Sequence, residues 1–147
     1  MAFTDRTYLN RAEFTALVEG FGYSGWKSIT EPKANIAVNE HWEGGSLISN
    51  KSQGRVTYDN VTMERGSTED RDLLNWFKES ADVAANKGTT KKRNITIYQK
   101  NRDGSNAEKW ILYNAFVVSY TPGSWDNEAD EHRMEVVEVG YDYFDEL

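Results

Sequence analysis

Residues 43–76 of this chain, EGGSLISNKSQGRVTYDNVTMERGSTEDRDLLNW, decide its fold. The segment begins inside a polar stretch, His41–Gly54, whose glycines and asparagine predict a loop. Val56–Gly66 follows with several β-branched residues, which predicts one extended strand. Ser67 can then cap a helix, because Ser67 and Asp70 approximate a capping box. Loop, strand and helix in this order indicate a β-rich domain with one principal helix.

The predicted helix is amphipathic, so it has one side to pack against a sheet. Its apolar residues recur at helical spacing: Leu73, Leu74, Trp76, Phe77, Ala81 and Ala84. The segment Asn86–Gly88 predicts the end of the helix, since Gly88 suits the left-handed position that follows a helix C-terminus.

Two further segments alternate apolar and polar residues, as half-buried strands do. Arg93–Lys100 places Ile95 and Ile97 on one side, and Asn101–Gly104 directly after it predicts a hairpin turn. The second segment is Glu131–Tyr143, with its apolar residues in phase: Val137, Val139, Tyr141 and Tyr143. These segments predict antiparallel strands.

The remaining extended segments are less regular. Arg11–Gly20 fits both a helical and an alternating pattern, and both interpretations stay open. Trp26–Val38 is extended with a break at Pro32. Trp110–Tyr120 is apolar on both faces and therefore needs cover on both, one from its own domain and one from a second copy. The whole chain, residues 1–147, is expected to form one mainly β (α+β) domain.

Composition excludes several classes of protein. At 147 residues with a net charge of −7, the chain suits one soluble domain and lacks the clustered cations that bind a nucleic-acid backbone. It contains no apolar run near the ~20 residues of a membrane span. Met1–Leu9 has no signal-peptide core. The absence of cysteine excludes disulfides and thiolate chemistry, and we expect synthesis in the cytoplasm.

Charge is unevenly distributed. Residues 126–147 contain nine acidic residues against Arg133, and residues 87–109 contain seven basic residues against Asp103 and Glu108. These segments are either two solvated faces of one molecule or complementary surfaces on neighbouring copies. Complementary charge would orient the copies more than it would add affinity.

No constellation of residues indicates catalysis. His41 and His132 are far apart, and neither has partners at metal-ligand spacing. Gly20–Gly25 matches the dinucleotide fingerprint by letters alone, because a strand follows where a helix is required. The carboxylates of residues 126–131 suit a solvated acidic rim. We therefore expect no enzyme, no catalytic residue, no metal ligand, no cofactor-binding residue and no cofactor.

The order of these segments resembles the inner-tube proteins of phage tails and contractile injection systems. The landmarks are short motifs along the chain: Glu43-Gly44-Gly45, Gly54-Arg55, Val61–Gly66, Leu74-x-Trp76, Arg93–Ile97, Trp110, Asn114-Ala115-Phe116 and Glu135–Glu138. The resemblance covers residues from about Phe14 to the acidic C-terminus.

The resemblance implies two packed antiparallel sheets that form a small barrel with a flanking helix. It implies homo-hexameric rings that stack into a hollow tube, part of a virion tail or an injection particle. The expected partners are a sheath protein, a baseplate or tube initiator, and a tape-measure or effector cargo. DNA would be a transiting cargo, and no membrane span is expected.

The resemblance also assigns roles to residues. The ring-stacking loop would contain His41, Trp42, Glu43, Gly44, Gly45, Leu47, Gly54 and Arg55. On the strand that follows, Val61 and Met63 would face the core while Thr62 and Glu64 would face the lumen. The helix would face a sheath through Asp70, Asp72, Lys78, Glu79 and Asp82.

Two other classes fit parts of the sequence. A monomeric β-barrel that binds a small ligand could use the aromatic residues, 13% of the chain, as pocket walls. A nucleic-acid-binding barrel could stack bases on Trp and Tyr, but the acidic balance disfavours it. Self-association separates the classes, because rings or filaments are expected of the tube protein alone.

Overall fold

The structure, a computed structural model, describes residues 9, 13–21, 25–67, 71–82, 92–128 and 131–147. Within these residues the chain forms nine strands and one helix. In chain order they are β1 (Phe14–Val18), β2 (Trp26–Ile29), β3 (Lys33–His41), β4 (Asn50–Asp59), β5 (Val61–Gly66), α1 (Asp72–Ala81), β6 (Arg93–Lys100), β7 (Asn106–Thr121), β8 (Met134–Gly140) and β9 (Tyr143–Glu146).

Two antiparallel sheets share the long strand β7. Its first half pairs with β6 and β9, and its second half pairs with β8. The strand order is β1-β6-β7-β8-β5-β2, with β9 beside β7. The predicted mainly β architecture with one principal helix is confirmed. The predicted barrel closure is wrong for the described residues, because β1 and β2 are the two open ends of this path.

A bulge at Asn114 lets β7 serve both sheets. Asn114 has a φ of 56°, a left-handed conformation that asparagine tolerates better than most residues. The β6–β7 register shifts by one residue here, so Leu112 is buried before the bulge while Ala115 and Val117 are buried after it. The apolar residues on both faces of Trp110–Tyr120 therefore reflect a change of phase within one chain, and the pattern by itself does not require a second copy.

The segment from Trp26 to Gly66 is one long two-stranded ribbon. Ile29 pairs with Met63 and Lys33 pairs with Asp59, so the same register continues across the break at residues 30–32. The lower half of the ribbon, β2 with β5, belongs to the larger sheet path. In the upper half, β3 and β4 pair only with each other among the described strands. The break near Pro32 confirms the prediction.

Two predicted boundaries in this ribbon are wrong. The expected loop His41–Gly54 is shorter than predicted, because β3 runs to His41 and β4 starts at Asn50, which leaves residues 42–49 between the strands. The expected single strand Val56–Gly66 is interrupted at Asn60, where the ribbon leaves the sheet. The turn-forming residues of this segment do not prevent cross-strand hydrogen bonding. That bonding extends β3 and β4 toward the residues that connect them.

The core lies between the sheets and α1. Its buried residues include Val61 and Met63 of β5, which confirms their predicted core-facing orientation, together with Ala16, Val18, Leu73, Trp76, Ile95, Leu112, Val137, Val139 and Tyr141. The alternating interpretation of Arg11–Gly20 is therefore correct, since Ala16 and Val18 of β1 face inward. Tyr143, predicted in phase with Tyr141, is exposed on β9.

The helix starts later than predicted. Ser67 extends β5, since its N–H donates to the Arg133 carbonyl at 2.8 Å and its hydroxyl accepts from the Arg133 guanidinium at 2.7 Å. Helix α1 begins at Asp72 without a side-chain cap. The predicted cap at Ser67 is thus wrong, because arginine occupies the hydroxyl. The predicted helix end at Asn86–Gly88, and Ala84, lie outside the described residues.

A buried ion pair joins β5, β8 and β7. Arg65 and Glu135 are each 2% exposed, with Nε 3.3 Å from Oε2. The Tyr120 hydroxyl donates to Glu135 Oε1 at 3.1 Å. Burial, followed by the negative charge of Glu135, raises the pKa of Tyr120. The Arg65 guanidinium also lies 5.6 Å from the Trp26 ring.

Candidate assembly surfaces

The upper ribbon, β3 and β4 with the connecting residues 42–49, projects from the sheets. We call residues 42–49 its tip. Strand β3 has nine residues, which at ~3.3 Å per residue gives a reach of about 30 Å. The hairpin turn at Asn101–Gly104, by contrast, connects β6 and β7 within a sheet. The Asn101 N–H donates to the Ser105 carbonyl at 2.7 Å, which confirms the predicted turn.

The ribbon is amphipathic. Ile36 lies opposite Val56, and the neighbouring pair on that face includes Tyr58. The other face is polar, with Asn35 Nδ2 donating to Asp59 Oδ1 at 3.0 Å. Tyr58 packs at the ribbon base, 5.5 Å from the Phe144 ring centroid and 6.0 Å from that of Tyr141. Farther out, the apolar face is uncovered: Val38, Ile36 and Val56 are more than half exposed.

The residues predicted to stack rings are spread along this ribbon and do not share one loop. His41 ends β3; Trp42, Glu43, Gly44, Gly45 and Leu47 lie in the tip; Gly54 and Arg55 lie within β4. Leu47 is 96% exposed. A Cβ at Gly54 would lie 3.0 Å from the Ala37 carbonyl oxygen, so close strand approach explains this glycine. Their role in stacking stays a prediction.

The face of β5 opposite the core is polar. Thr62 and Glu64 alternate with the buried residues of this strand and are half-buried. Glu64 accepts a hydrogen bond from Ser28 Oγ at 3.3 Å, and Glu138 accepts one from Asn60 Nδ2 at 3.1 Å. Hydroxyls and carboxylates therefore line this side of the sheet. Its assignment to a lumen stays a prediction.

The charged residues of α1 differ in what they contact. Glu79 makes an ion pair with Arg93 at 2.9 Å and retains 18% side-chain exposure, so this residue fastens α1 to β6. Lys78 and Asp82 are exposed, and Asp72 is half-buried. Asp70 lies outside the described residues. The predicted contact with a sheath is not tested by these positions.

Trp110, at the start of the segment that the sequence predicts to be apolar on both faces, forms one wall of a half-open groove. Pro32, Ile97, Trp110 and Phe144 line a cavity of about 230 Å³, which we call the groove. The Trp110 indole N–H donates to Glu108 at 3.0 Å, and its ring lies 5.9 Å from that of Phe144. These residues come from four segments of the chain, so sequence reasoning did not bring them together.

No cluster of three His, Cys, Asp or Glu side chains that could hold a metal ion occurs in the described part of the chain. None of its helices combines the length and apolar character that crossing a membrane demands.

The model of the T4-like virus tail tube protein gp19 family matches residues 10–145. The chain belongs to this tail tube protein family. No curated protein sequence matches it.

Solved structures carry the same fold as this tail tube protein. A chain of the tube terminating cap of the anti-feeding prophage has a TM-score of 0.83 at 17% identity, covering 100% of this chain and 95% of that one. A chain of an extracellular contractile injection system, from its sheath/tube terminator in the extended state, has a TM-score of 0.84 at 18% identity, covering 98% and 99%. Hcp1 from Flavobacterium johnsoniae has a TM-score of 0.58 at 13% identity, covering 95% and 94%.

Sequence reasoning missed two features of the tail tube protein. The first is the buried Arg65–Glu135 ion pair. Its only signal in the sequence is that each charged residue falls two positions from an apolar residue on the same side of its strand, Arg65 after Met63 and Glu135 before Val137. The second is the groove, which no local sequence pattern indicates, because its lining residues meet only after three strands have paired. Local patterns predict faces, and long-range pairing decides which faces meet.

Proposed function

We propose that the chain is a structural subunit of the inner tube of a phage tail or contractile injection system, and that it works without catalysis or a cofactor. Copies form hexameric rings, and the rings stack into a hollow conduit. The observation that carries this proposal is the family match over residues 10–145, joined to a projecting ribbon whose apolar face lacks cover within the described chain.

Ring closure uses the sheet ends. Strands β1 and β2 end the sheet path, and each presents an outer edge that is unpaired within the described residues. An exposed edge favours pairing with another chain, and closure of a ring removes every such edge. The polar face with Thr62 and Glu64 would line the lumen, where carboxylates repel rather than hold passing DNA.

Partners follow from the same assembly. The ribbon joins successive rings, while Asp72, Lys78 and Asp82 on α1 face a sheath. Glu79 contributes less to that surface because it holds Arg93. A baseplate or tube initiator starts the tube, which conducts DNA, a tape-measure protein or effectors. Subunits are made in the bacterial cytoplasm and assemble into the tail or injection particle.

Deleting residues 43–52 tests the proposal. Negative-stain microscopy and sedimentation of the concentrated protein should show rings and tubes for the wild type. The deletion variant should give folded subunits or single rings without tubes, because the apolar tip is removed. A wild-type protein that stays monomeric at every concentration, even when mixed with preformed tube ends, would contradict the proposal and favour a monomeric ligand-binding protein.

A further inference from the structure

We propose that the ribbon tip of one copy inserts Leu47 and Ile48 into the groove formed by Pro32, Ile97, Trp110 and Phe144 of another copy. This inference rests on the proposed tube function and adds the receiving site. Donor and acceptor are different surfaces of the same chain, so the contact is heterologous and repeats from copy to copy.

The tip is an apolar projection held in shape by its own hydrogen bonds. Leu47 is 96% exposed and Ile48 is 78% exposed. Ser46 Oγ accepts the Ile48 N–H at 3.2 Å and donates to the Ile48 carbonyl at 2.7 Å, while the Ser46 N–H donates to the Glu43 carbonyl. These hydrogen bonds stabilise a turn in which the side chains of Leu47 and Ile48 point into solvent. Apolar surface of this kind marks an interaction site.

The groove offers complementary chemistry. It is lined by a proline, an isoleucine and two aromatic rings, and each of these four side chains is only half-buried. It continues into a second depression at Phe14 and Ile29. Burial of aliphatic side chains against these walls would remove apolar surface from water, which favours association.

Distance excludes the tip of the same copy. Pro32 lies at the ribbon base and also lines the groove. The tip lies at the other end of β3, about 30 Å away along the nine-residue strand. A tip that fills a groove must therefore come from another copy, and each added copy presents a fresh tip.

Charge adds one contact of the donor ribbon to this apolar insertion. The tip itself contains one carboxylate, Glu43, and no lysine or arginine; Lys51 follows it on β4, with 65% of its side chain exposed and its Nζ 3.9 Å from Glu40. The groove is bordered by Glu31, by Glu108 bonded to Trp110, and by Glu146 opposite Trp110 on β9. Lys51 beside this acidic rim would orient the incoming copy more than it would add affinity.

Cysteine cross-linking tests the contact directly, because the native chain has no cysteine. In the Leu47→Cys, Ile97→Cys double variant, oxidation of assembled protein should give a ladder of covalent multimers on a non-reducing gel. Each single variant should give no ladder. The matched control, Leu47→Cys with Trp125→Cys, places the second thiol on another exposed residue outside the groove and should also give none. A ladder in the control, or none in the Ile97 pair within visible tubes, would overturn the inference.

Complementation tests the direction of the contact. Leu47→Asp with Ile48→Asp lacks the donor, and Phe144→Ser lacks part of the acceptor; each alone should form rings without tubes. A mixture should give ring pairs and no longer stacks, since one intact donor meets one intact acceptor. Tubes from the tip variant would overturn the inference and leave the proposed function standing, whereas a wild type without rings or tubes would defeat the function itself. If Phe144→Ser fails to fold by circular dichroism, the cross-linking result decides.

Discussion

Val61 and Met63 of β5 are fully buried, whereas Val56, earlier on the same two-stranded ribbon, is 52% exposed. The same residue type therefore has opposite environments on either side of Asn60. In the sheet body, which comprises α1 and all strands except β3 and β4, apolar side chains meet a core. On the upper ribbon they meet solvent. The body therefore buries its apolar residues within one chain, whereas the upper ribbon leaves them exposed, and we propose that another copy covers them.

The largest effect is expected in the body. Trp76 is 1% exposed, with an edge-on ring contact to Phe21 at 5.6 Å. Trp76→Ala should lower the free energy of unfolding by about 3–5 kcal/mol, because it leaves a large cavity. Urea denaturation measures this loss. The exposed Trp125→Ala is the matched control and should change stability little; equal losses would erase the distinction between buried and exposed tryptophans.

The buried ion pair should show the next effect. Arg65→Met alone should cost about 3–5 kcal/mol in the free energy of unfolding, because Glu135 would stay buried without its cation. The double variant Arg65→Met, Glu135→Leu should recover most of that loss. Denaturation of both variants and of Glu135→Leu completes a double-mutant cycle. Additive losses would show that the two side chains act independently.

Trp110→Ala should give an intermediate loss of about 1–2 kcal/mol, less than full burial of an aromatic side chain is worth. The residue is half-buried in the groove and holds one hydrogen bond to Glu108. The same variant should lose tube assembly, as measured by sedimentation. A loss as large as that of Trp76→Ala would show that Trp110 belongs to the core and would contradict its place in the groove.

The smallest effect on folding is expected on the ribbon. Ile36 and Val38 are exposed, so Ile36→Ser and Val38→Ser should each change the free energy of unfolding of the monomer by less than about 0.5 kcal/mol. Sedimentation should nevertheless show reduced assembly, because the apolar face loses its partner. Asn35→Ser, on the polar face, is the control for assembly. A large loss of monomer stability would mean that the ribbon packs within its own chain.

Much of the body was predictable from local patterns. Alternation grouped Val137 with Val139 on one face, and both are buried, while glycine with asparagine located the turn before Ser105. These features depend on neighbouring residues, which the sequence displays directly. The helix position was less predictable, because Ser67 is engaged by Arg133, a residue distant in sequence.

The candidate surfaces were predictable in part. Turn-forming residues marked the region of the tip, but not that β3 and β4 extend to His41 and Asn50. Whether a segment rich in glycine and serine becomes strand depends on its partner strand, so hairpin pairing decided the outcome. The groove depends on three strands and a turn meeting in space, and no local pattern encodes that meeting.

Hydrogen exchange followed by mass spectrometry tests the central claim most directly. Amides of the body should be protected in both the free subunit and the assembled tube. Amides of residues 33–59 should exchange quickly in the free subunit, since a two-stranded hairpin without further cover is marginally stable, and should gain strong protection in the tube. Equal protection of the ribbon in both states, or an unprotected ribbon within tubes, would contradict the claim that another copy covers it.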